Sequence, residues 1–528
     1  MNHTFSFNLV DEPWIPVRLI NEAEGQRELS LLEVFQRCHE IRRIEYDRPL
    51  VIASLYKLLF AIHQRSIRPS QNHSERAKRI VQGMAEGLDI EAIEQYLAQY
   101  RERFDLFHPL TPAFQVPGIF EPKWKDPWYK LTAEDGSWNT SALSNPHKRS
   151  LPDAVAVPIS PAAAARMLIA HQQYALGGTI KRIITSSQAA INASSAFFIV
   201  EGERLLDTLL LNSFPQASDE YEADKALWEL PPYRRPEIEA QNIKSPRGVV
   251  NTWTWLSRAV LFIPEEVNGS TRVRYMFYAP GLPYNTDVVI DDPCTAYRKL
   301  KDGSYMPLRL QKDKAIWRNC NTFLPNSVDG SKAPYVVKQL FRLYQAPYLP
   351  GGTHLALRWA IRVIGQSKPP KESKVDLVVD EAYAVGDRMQ ETEGQSAKNL
   401  FETIDHVGGA LHQALLSFGS KVLASDTMKA DPERVRQFAE STGALTRYWW
   451  EMNDVFKTFI AGAGTDDELL HCQRVVIETA RSILRQTIEA QGSNRRMLTG
   501  IGSAEATFNK LIKQITADLV HQSPEVFQ

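Results

Sequence analysis

The sequence predicts an α+β protein, with a large irregular mixed α/β domain at the N-terminus followed by a C-terminal four-helix bundle. Its 528 residues exceed the length of one ordinary core, so two or three domains are expected. The 31 prolines and 11 tryptophans favour a loop-rich fold. From about residue 392 proline becomes nearly absent and helical periodicity dominates. We therefore expect the mixed domain at 1–388 and the bundle at 389–528.

Composition and charge restrict the class of protein. With 43% hydrophobic and 23% charged residues, the chain has a globular rather than a disordered balance. A formal net charge of −1 means that any nucleic-acid contact must come from local basic patches. The 4 cysteines lie far apart without a CxxC pair, which indicates reduced core thiols rather than a zinc ribbon. No apolar segment approaches the roughly 18 residues of a membrane span, so we expect a cytoplasmic protein.

Local patterns predict the elements at the N-terminus. Residues 7–19 read as a strand, a turn and a second strand. Ser30, with Glu33 three residues later, forms a capping box that starts a helix. Residues 49–65 carry apolar side chains at helical spacing and predict an amphipathic helix, and residues 91–103 predict another.

A helix flanked by two basic segments, within residues 145–182, is the first candidate for nucleic-acid contact. Ser160 followed by Pro161 predicts the helix start, and residues 162–175 are rich in helix formers. Gly177 and Gly178 follow, in the usual position of a helix C-cap. The flanking segments suit contact with a phosphate backbone. Their candidate residues are Asn145, His147, Lys148 and Arg149 before the helix, and Thr179 and Lys181 after it.

Two later stretches predict β-hairpins. Asn268-Gly269 is a turn signal, and it is followed by Arg272 and Arg274 on one face of a strand. These two arginines are either solvated or contacts to nucleic acid. Residues 364–375 lie between two apolar runs and read as a strand, a polar proline-containing loop and a strand.

The C-terminal region predicts four long helices. Helical periodicity covers residues 395–424, 431–460, 466–491 and 503–521. Residues 405–409 are expected to interrupt the first segment, and residues 461–465 separate the second from the third. The basic turn at 492–496 is either an ordinary exposed turn or a contact to a DNA strand.

The sequence contains no persuasive active site. It has no GxxxxGK[ST] phosphate loop, and its 12 histidines form no HExxH pattern. Asp287, Asp291 and Asp292 are the only candidates for a metal-dependent nuclease that acts on its own, which would need further acidic ligands. Asp291-Asp292-Pro293 reads better as a turn. We therefore expect no catalytic residue, no metal and no cofactor.

An ordered series of short matches resembles one family. It begins with Asn8-Leu9-Val10-Asp11-Glu12-Pro13-Trp14-Ile15-Pro16-Val17 and the Ser30-Leu31 helix start. Further matches follow in the same order: Phe104 to Pro109 with Phe114-Gln115-Val116, His171-Gln172 through Gly177-Gly178, Gly202-Glu203 with Leu209 to Asn212, Trp253 to Arg258, and Asp292-Pro293. The series resembles the large subunit (CasA family) of the type I-E CRISPR Cascade surveillance complex.

The resemblance implies a non-catalytic subunit that recognises the protospacer-adjacent motif in duplex DNA and begins its unwinding. In the family this involves a loop, a glycine turn and a wedge hairpin. The loop corresponds to residues 141–157, and the turn to Gly177 and Gly178 with Thr179 and Lys181 beside them. The wedge tip corresponds to Pro370, Lys371 and Glu372, flanked by Gln366 and Lys368. Relatives also supply a lysine near residues 267–278, where Arg272 or Arg274 is the substitute.

The resemblance also implies partners. They are double-stranded target DNA, the 5′ handle of a guide RNA, the other Cascade subunits, and a separate helicase-nuclease recruited after R-loop formation; no membrane is involved. Each proposed contact has a structural alternative: a solvated loop, a helix C-cap, and a stiff polar hairpin. The whole chain has one too, as a purely structural cap of the complex.

Overall fold

The structure is a computed structural model. It describes residues 5–21, 25–67, 70–132, 156–288, 290–312, 314–325, 330–345, 359–368, 375–386, 394–424, 428–462, 465–492 and 494–522. The chain divides into two compact units, of which the first holds Met1–Ile316 and Thr322–Ala382 and the second holds Trp317–Asn321 and Tyr383–Gln528. The predicted α+β class, with a helical C-terminal region, is confirmed.

Short helices and strands alternate irregularly up to residue 386. The helices are α1 (Leu31–Gln36), α2 (Pro49–Ser66), α3 (His73–Glu86), α4 (Ile90–Gln99), α5 (Pro161–Tyr174), α6 (Leu205–Leu211), α7 (Ser218–Ala223), α8 (Arg235–Glu239), α9 (Val249–Trp253), α10 (Cys320–Phe323) and α11 (Tyr335–Gln345). The strands are β1 (Ile15–Leu19), β2 (Gln26–Leu29), β3 (Ile41–Ile44), β4 (Lys125–Pro127), β5 (Ile180–Arg182), β6 (Ile184–Ser186), β7 (Phe197–Glu201), β8 (Arg258–Val267), β9 (Ser270–Pro280), β10 (Tyr297–Lys299), β11 (Tyr305–Pro307), β12 (Trp359–Ser367) and β13 (Leu377–Val385).

The strands form small separate sheets rather than one large sheet. Three sheets have three strands each, in the orders β2-β1-β3, β4-β9-β8 and β13-β12-β7. Two-stranded hairpins are formed by β5 with β6 and by β10 with β11. The predicted turn at Asn268-Gly269 joins β8 to β9, with φ of 53° and 73°. Positive φ at both central residues is the requirement of a type I′ hairpin turn, so this prediction is confirmed.

The first predicted strand does not form. Asn8 makes only an isolated bridge to Asp105, and regular pairing begins at β1. The capping box is confirmed, because the Glu33 amide donates to Ser30 Oγ at 3.2 Å and the Ser30 amide donates to Glu33 Oε2 at 2.8 Å. These reciprocal bonds satisfy donors that a helix start otherwise leaves unpaired.

Helix α2 is a core element rather than an amphipathic surface helix. Every residue from Leu50 to Arg65 is buried, including Lys57 and His63. The predicted helix is therefore present, but its expected polar face is covered by neighbouring elements. The next predicted helix is shorter than expected, because α4 ends at Gln99 and a 3₁₀ turn, Arg101–Phe104, follows.

The described part of the C-terminal region forms five helices, which differ from the expected four segments in more than one place. The helices are α12 (Gln395–Leu423), α13 (Pro432–Ser441), α14 (Ala444–Ala461), α15 (Asp466–Glu489) and α16 (Arg495–Gln522). Residues 405–409 do not interrupt α12, which continues through them. The second predicted helix is instead divided at Thr442-Gly443, where Gly443 has a φ of 69°. A left-handed glycine at this point ends one helix and begins the next.

The described residues include neither a membrane-spanning helix nor a disulfide. No helix in that part of the chain is long and apolar enough to cross a membrane. All 4 cysteines are free thiols, and Cys38, Cys294 and Cys320 are buried. Burial raises the pKa of Cys38 to about 12, so this thiol stays protonated and unreactive.

Adjacent glycines in α12 allow a matched test of packing. A Cβ added at Gly408 would lie 2.9 Å from ring atoms of both Trp449 and Tyr448, whereas a Cβ at Gly409 would meet nothing within 4 Å. Gly409→Ala should stabilise the protein by up to about 1 kcal/mol through helix propensity. Gly408→Ala should lose that gain and destabilise the protein by about 1–3 kcal/mol, because rigid rings must shift. Urea unfolding of both variants measures the difference, and equal free energies of unfolding would contradict this packing.

Candidate nucleic-acid interface

Helix α5 positions the glycine turn. Ser160 caps the helix start, with its Oγ accepting from the Ala163 amide at 3.2 Å, as predicted. The helix ends at Tyr174, and the amide of Ala175 donates to His171 O at 3.0 Å. Neither Gly177 nor Gly178 is among the residues with positive φ. The C-cap interpretation of the glycines is therefore wrong, since the helix has already ended without a left-handed residue.

Gly177 is required by a close backbone approach instead. A Cβ at this position would lie 2.7 Å from the carbonyl oxygen of Ser187, which is backbone and has little freedom to move. The next amide, that of Gly178, donates to the same oxygen at 3.3 Å. A further bond from the Ala190 amide to Ala175 O, at 2.8 Å, holds the two segments together. The turn is thus held against the segment that contains Ser187 and Ala190 by backbone hydrogen bonds, and its two glycines contribute no side chains.

The short β5–β6 hairpin continues directly from the glycine turn. Thr179 and Lys181 are exposed, so they are available to a ligand at this surface. Arg182 is used internally, since its guanidinium pairs with Asp126 and also donates to Tyr278 O at 2.9 Å. Ile183 at the hairpin bend has a φ of 52°, a strained conformation for a β-branched residue. Sterically costly backbone of this kind is often found at functional sites.

The second predicted hairpin is formed by β12 and β13. At the tip end of its strands, the Asp376 amide donates to Ser367 O at 3.1 Å. On the strands, the Arg362 guanidinium donates to both carboxylate oxygens of Asp380 at 2.7 Å and to Glu201 at 2.8 Å. This fork-to-carboxylate geometry fixes β12 between its two neighbours.

Gln366 does not lie at a DNA-facing surface. Its side chain is 2% exposed, and Nε2 donates to Tyr174 O at 2.6 Å and to Ala193 O at 2.8 Å. The expected contact to nucleic acid is therefore replaced by a structural one, because the amide satisfies two buried carbonyls. Through it, the tip end of β12 is bonded to the end of α5. Lys368, two residues later, is exposed.

The two arginines of β9 differ in how free their charges are to contact DNA. Arg274 donates to Glu265 at 2.8 Å and to Ala156 O at 2.7 Å, so its charge is already paired. Arg272 is half-buried and donates to the neighbouring Thr271 O at 3.1 Å. Arg274 is therefore a poor substitute for a DNA-contacting lysine, and Arg272 is the better placed of the two.

Seven predicted contacts fall outside the described residues. They are Asn145, His147, Lys148 and Arg149 in the loop, and Pro370, Lys371 and Glu372 at the hairpin tip. The assignments of these residues to DNA contact remain predictions.

The buried His171 beside the end of α5 is neutral. His171 is 3% exposed, and its Nε2 lies 3.0 Å from Tyr278 Oη. Burial, and then the nearby Arg258, lower the pKa of His171 well below its ordinary value, so the ring stays neutral. The Arg258 guanidinium donates to Leu176 O at 2.8 Å and so supports the residue before the glycines.

The acidic residues considered for a nuclease do not point toward a common metal site; Asp292 and Asp291 each have other partners. Asp292 is buried, with Oδ2 accepting from Trp253 Nε1 at 2.7 Å and Oδ1 accepting from the Cys294 amide at 2.8 Å. The exposed Asp291 carboxylate pairs with Lys332 instead. Within the described ranges no group of three or more histidine, cysteine or acidic residues is arranged to hold a metal ion.

Sequence patterns missed the residues that hold the turn. Ser187 and Arg258 act through a backbone carbonyl and a guanidinium contacting backbone, and neither belongs to a periodic pattern. One signal was present: paired glycines next to a strand indicate close backbone approach as well as a helix end. The partner that approaches is not indicated by the glycines themselves.

Comparison with known proteins gives consistent matches along almost the whole chain. Residues 8–491 match the family described as CRISPR-associated protein Cse1. The sequence is 29% identical over 522 residues to "CRISPR-associated protein CasA/Cse1" of Thermus thermophilus, covering 96% of this chain and 98% of that protein.

Solved structures share the fold. A structure of Thermus thermophilus CasA (Cse1) has 27% identity and a TM-score of 0.78, covering 96% of this chain and 99% of that one. Thermobifida fusca Cse1 has 24% identity and a TM-score of 0.74, covering 96% and 98%. A chain from a structure described as "CRISPR RNA-guided surveillance complex" has 21% identity and a TM-score of 0.75, covering 95% and 99%.

The structural role of Gln366 can be tested with a near-isosteric change. Gln366→Met keeps the side-chain length but removes both donors, leaving Tyr174 O and Ala193 O without this partner. The free energy of unfolding should fall by about 2 kcal/mol, since each buried carbonyl keeps its desolvation cost. Lys301→Met, at an exposed turn residue, is the control and should change stability by less than about 0.5 kcal/mol. Equal unfolding midpoints in urea would contradict the role.

Proposed function

Because this chain belongs to the CRISPR-associated Cse1 (CasA) family of large subunits of the type I-E Cascade complex, we propose that it recognises the protospacer-adjacent motif in duplex DNA. In this role the subunit is non-catalytic, since the protein reads a short motif while the guide RNA reads the remaining target by base pairing. It then helps to unwind the duplex, seeds the R-loop and recruits a separate helicase-nuclease. Its other partners are the remaining Cascade subunits and the 5′ handle of the guide RNA, in the cytoplasm.

The observation that carries the proposal is the pinned glycine turn. Gly177 and Gly178 present backbone rather than side chains, and Ser187 O holds that backbone in place. The minor groove of B-DNA is only about 6 Å wide, which suits a bare peptide better than most side chains. A turn fixed before binding also loses little conformational entropy when DNA arrives.

Readout through this turn would be permissive. The minor groove distinguishes A·T from G·C pairs but carries little further information. Backbone groups from the turn therefore favour a set of related motifs rather than a single sequence. Lys181, exposed on the adjoining strand β5, is suited to a phosphate, which adds affinity without sequence information.

The proposed wedge follows from the hairpin of β12 and β13. Arg362 fixes β12 to both of its neighbours, and Gln366 bonds its end to the residue that terminates α5. A hairpin braced in this way can keep a fixed relation to the glycine turn while a duplex bends or opens. We place strand separation at its tip, where Lys371 would hold a displaced phosphate and Pro370 would disrupt base stacking.

Substitutions in the glycine turn and at Lys181 should change DNA binding in different ways. Gly178→Asp places a carboxylate where the turn faces the groove, so binding of the assembled complex should become independent of the motif. Lys181→Ala should weaken binding about equally for all motifs and lower the slope of log K against log salt by about 1. Gel-shift titration on targets carrying every motif variant measures both effects.

Ala98→Asp adds the same charge at an exposed position of α4 and serves as the control for Gly178→Asp. Its binding should keep the wild-type motif preference. The proposal fails if Gly178→Asp retains that preference too, and the purely structural cap would then be the better account.

A nuclease acting on its own predicts a different result. The purified chain with Mg²⁺ or Mn²⁺ should leave duplex DNA intact, both alone and with the guide-bearing complex. Cleavage by the chain alone, lost in Asp291→Ala or Asp292→Ala, would overturn the non-catalytic assignment. Asp219→Ala, outside the three candidate acidic residues, controls for the loss of an exposed carboxylate.

A further inference from the structure

A basic cavity lies in the first unit, among residues that have no part in the proposed DNA interface. Its volume is about 330 Å³, within the usual range for sites that hold small organic ligands. Cations on its lining are Lys332, Lys338 and Arg342, and aromatic rings are contributed by His73, Phe214 and Tyr335. Cations with aromatic faces are the combination that binds a phosphate joined to a base.

The wall of this cavity is preformed. Tyr335, Lys338 and Arg342 follow one another at helical spacing along α11. Gln339, on the same helix, donates to Leu211 O and to Ser213 O, both at 3.0 Å, and accepts from Tyr335 Oη at 2.7 Å. These bonds fix the helix, so the cationic side chains project from a rigid support.

Positive charge on the cavity is only partly neutralised. Asp291 pairs with Lys332 at 3.3 Å, and the buried Asp292 is occupied by the Trp253 indole and a backbone amide. Among the described residues, no carboxylate forms an ion pair with Lys338 or Arg342. Burial, and then Arg342, lower the pKa of Lys338 and also that of His73. Desolvation and the neighbouring positive charge both disfavour the protonated forms, and at Lys338 the Asp291 carboxylate offsets them only in part.

A buried arginine, Arg76, interacts with Tyr335 of the cavity wall. Arg76 is 2% exposed, and its Nε and Nη2 have no hydrogen-bond partner within the described part of the chain. It lies one helical turn after His73 on α3, and its charge interacts with Tyr335. Glu75 on the same helix offsets this charge only in part, and since buried charge is costly, an anion in the cavity lined by Tyr335 would lower that cost further.

Two stacked aromatic rings, those of His73 and Tyr335, lie at the edge of the cavity. The rings of His73 and Tyr335 are stacked, with centroids 5.2 Å apart and planes at 26°. His73 is exposed, so its outer face is open to solvent. A base lying on an aromatic face gains stacking energy that depends little on which base it is.

We propose that this cavity binds a single nucleotide unit, with its phosphate on Lys338 and Arg342 and its base against the His73–Tyr335 pair. The nucleotide is either free in solution or part of an RNA strand, since both present the same phosphate and base. The site is separate in its residues from the glycine turn, and binding to it does not depend on motif recognition.

Calorimetric titration of the full-length chain at constant ionic strength tests the site. The probes are AMP, inorganic phosphate, adenosine and a pentameric oligoadenylate RNA without terminal phosphates. AMP should bind more tightly than either phosphate or adenosine alone. Lys338→Gln and Arg342→Gln should each weaken AMP binding about tenfold or more, as expected for a charge-assisted bond. His73→Ala should weaken AMP binding but leave phosphate binding unchanged.

Lys301→Gln removes the same charge at an exposed residue outside the cavity and should bind AMP like the wild type. Displacement of AMP by the pentamer would identify a strand as the source, and its absence would identify a free nucleotide; both results uphold the site. AMP binding no tighter than that of phosphate would overturn the proposal. Wild-type AMP affinity in both Lys338→Gln and Arg342→Gln would overturn it as well.

Discussion

Side-chain amides hold the backbone at the end of helix α5. Gln172 Nε2 donates to Phe114 O and Arg258 O, Gln173 Nε2 donates to Trp253 O, and Gln366 Nε2 donates to Tyr174 O and Ala193 O. A glutamine amide has two donors and so can join two carbonyls that no strand or helix pairs. In a fold of small sheets and many loops, these bonds join segments that the strand ladders do not pair. The glycine turn depends on them, because its position is set by the helix end.

Local sequence patterns predicted the elements that depend on interactions between residues close together in the sequence. The Ser30 capping box, the Ser160 helix start and the Asn268-Gly269 turn each depend on side chains or φ angles within a few residues. The burial of α2 on all sides could not be inferred in this way, since apolar spacing shows which positions are inside but not what covers the remaining face. Similarly, Gly408 and Gly409 suggested an interruption that does not occur, because tertiary packing against Trp449 outweighs a weak helix propensity.

At the candidate site, sequence reasoning located the segments better than the roles of their residues. Gly177 was identified as special, but its reason is Ser187 O, ten residues later, rather than a left-handed helix end. Gln366 was placed beside the hairpin tip, yet its partners lie on the helix end and the loop that follows it. A polar residue in a mostly apolar strand is compatible with both exposure and a buried hydrogen bond. Only the three-dimensional neighbours decide between these outcomes.

The close approach of Gly177 to Ser187 also has an evolutionary consequence. Residues that support the turn from inside, such as Gly177 and Gln366, cannot change without disturbing packed backbone. Thr179 and Lys181 face outward and make no such demand on the fold. If the turn reads a motif as proposed, these outer positions can change at little cost in stability. The supporting residues and the proposed reading surface can then diverge at different rates, and a new sequence preference can arise on an unchanged scaffold.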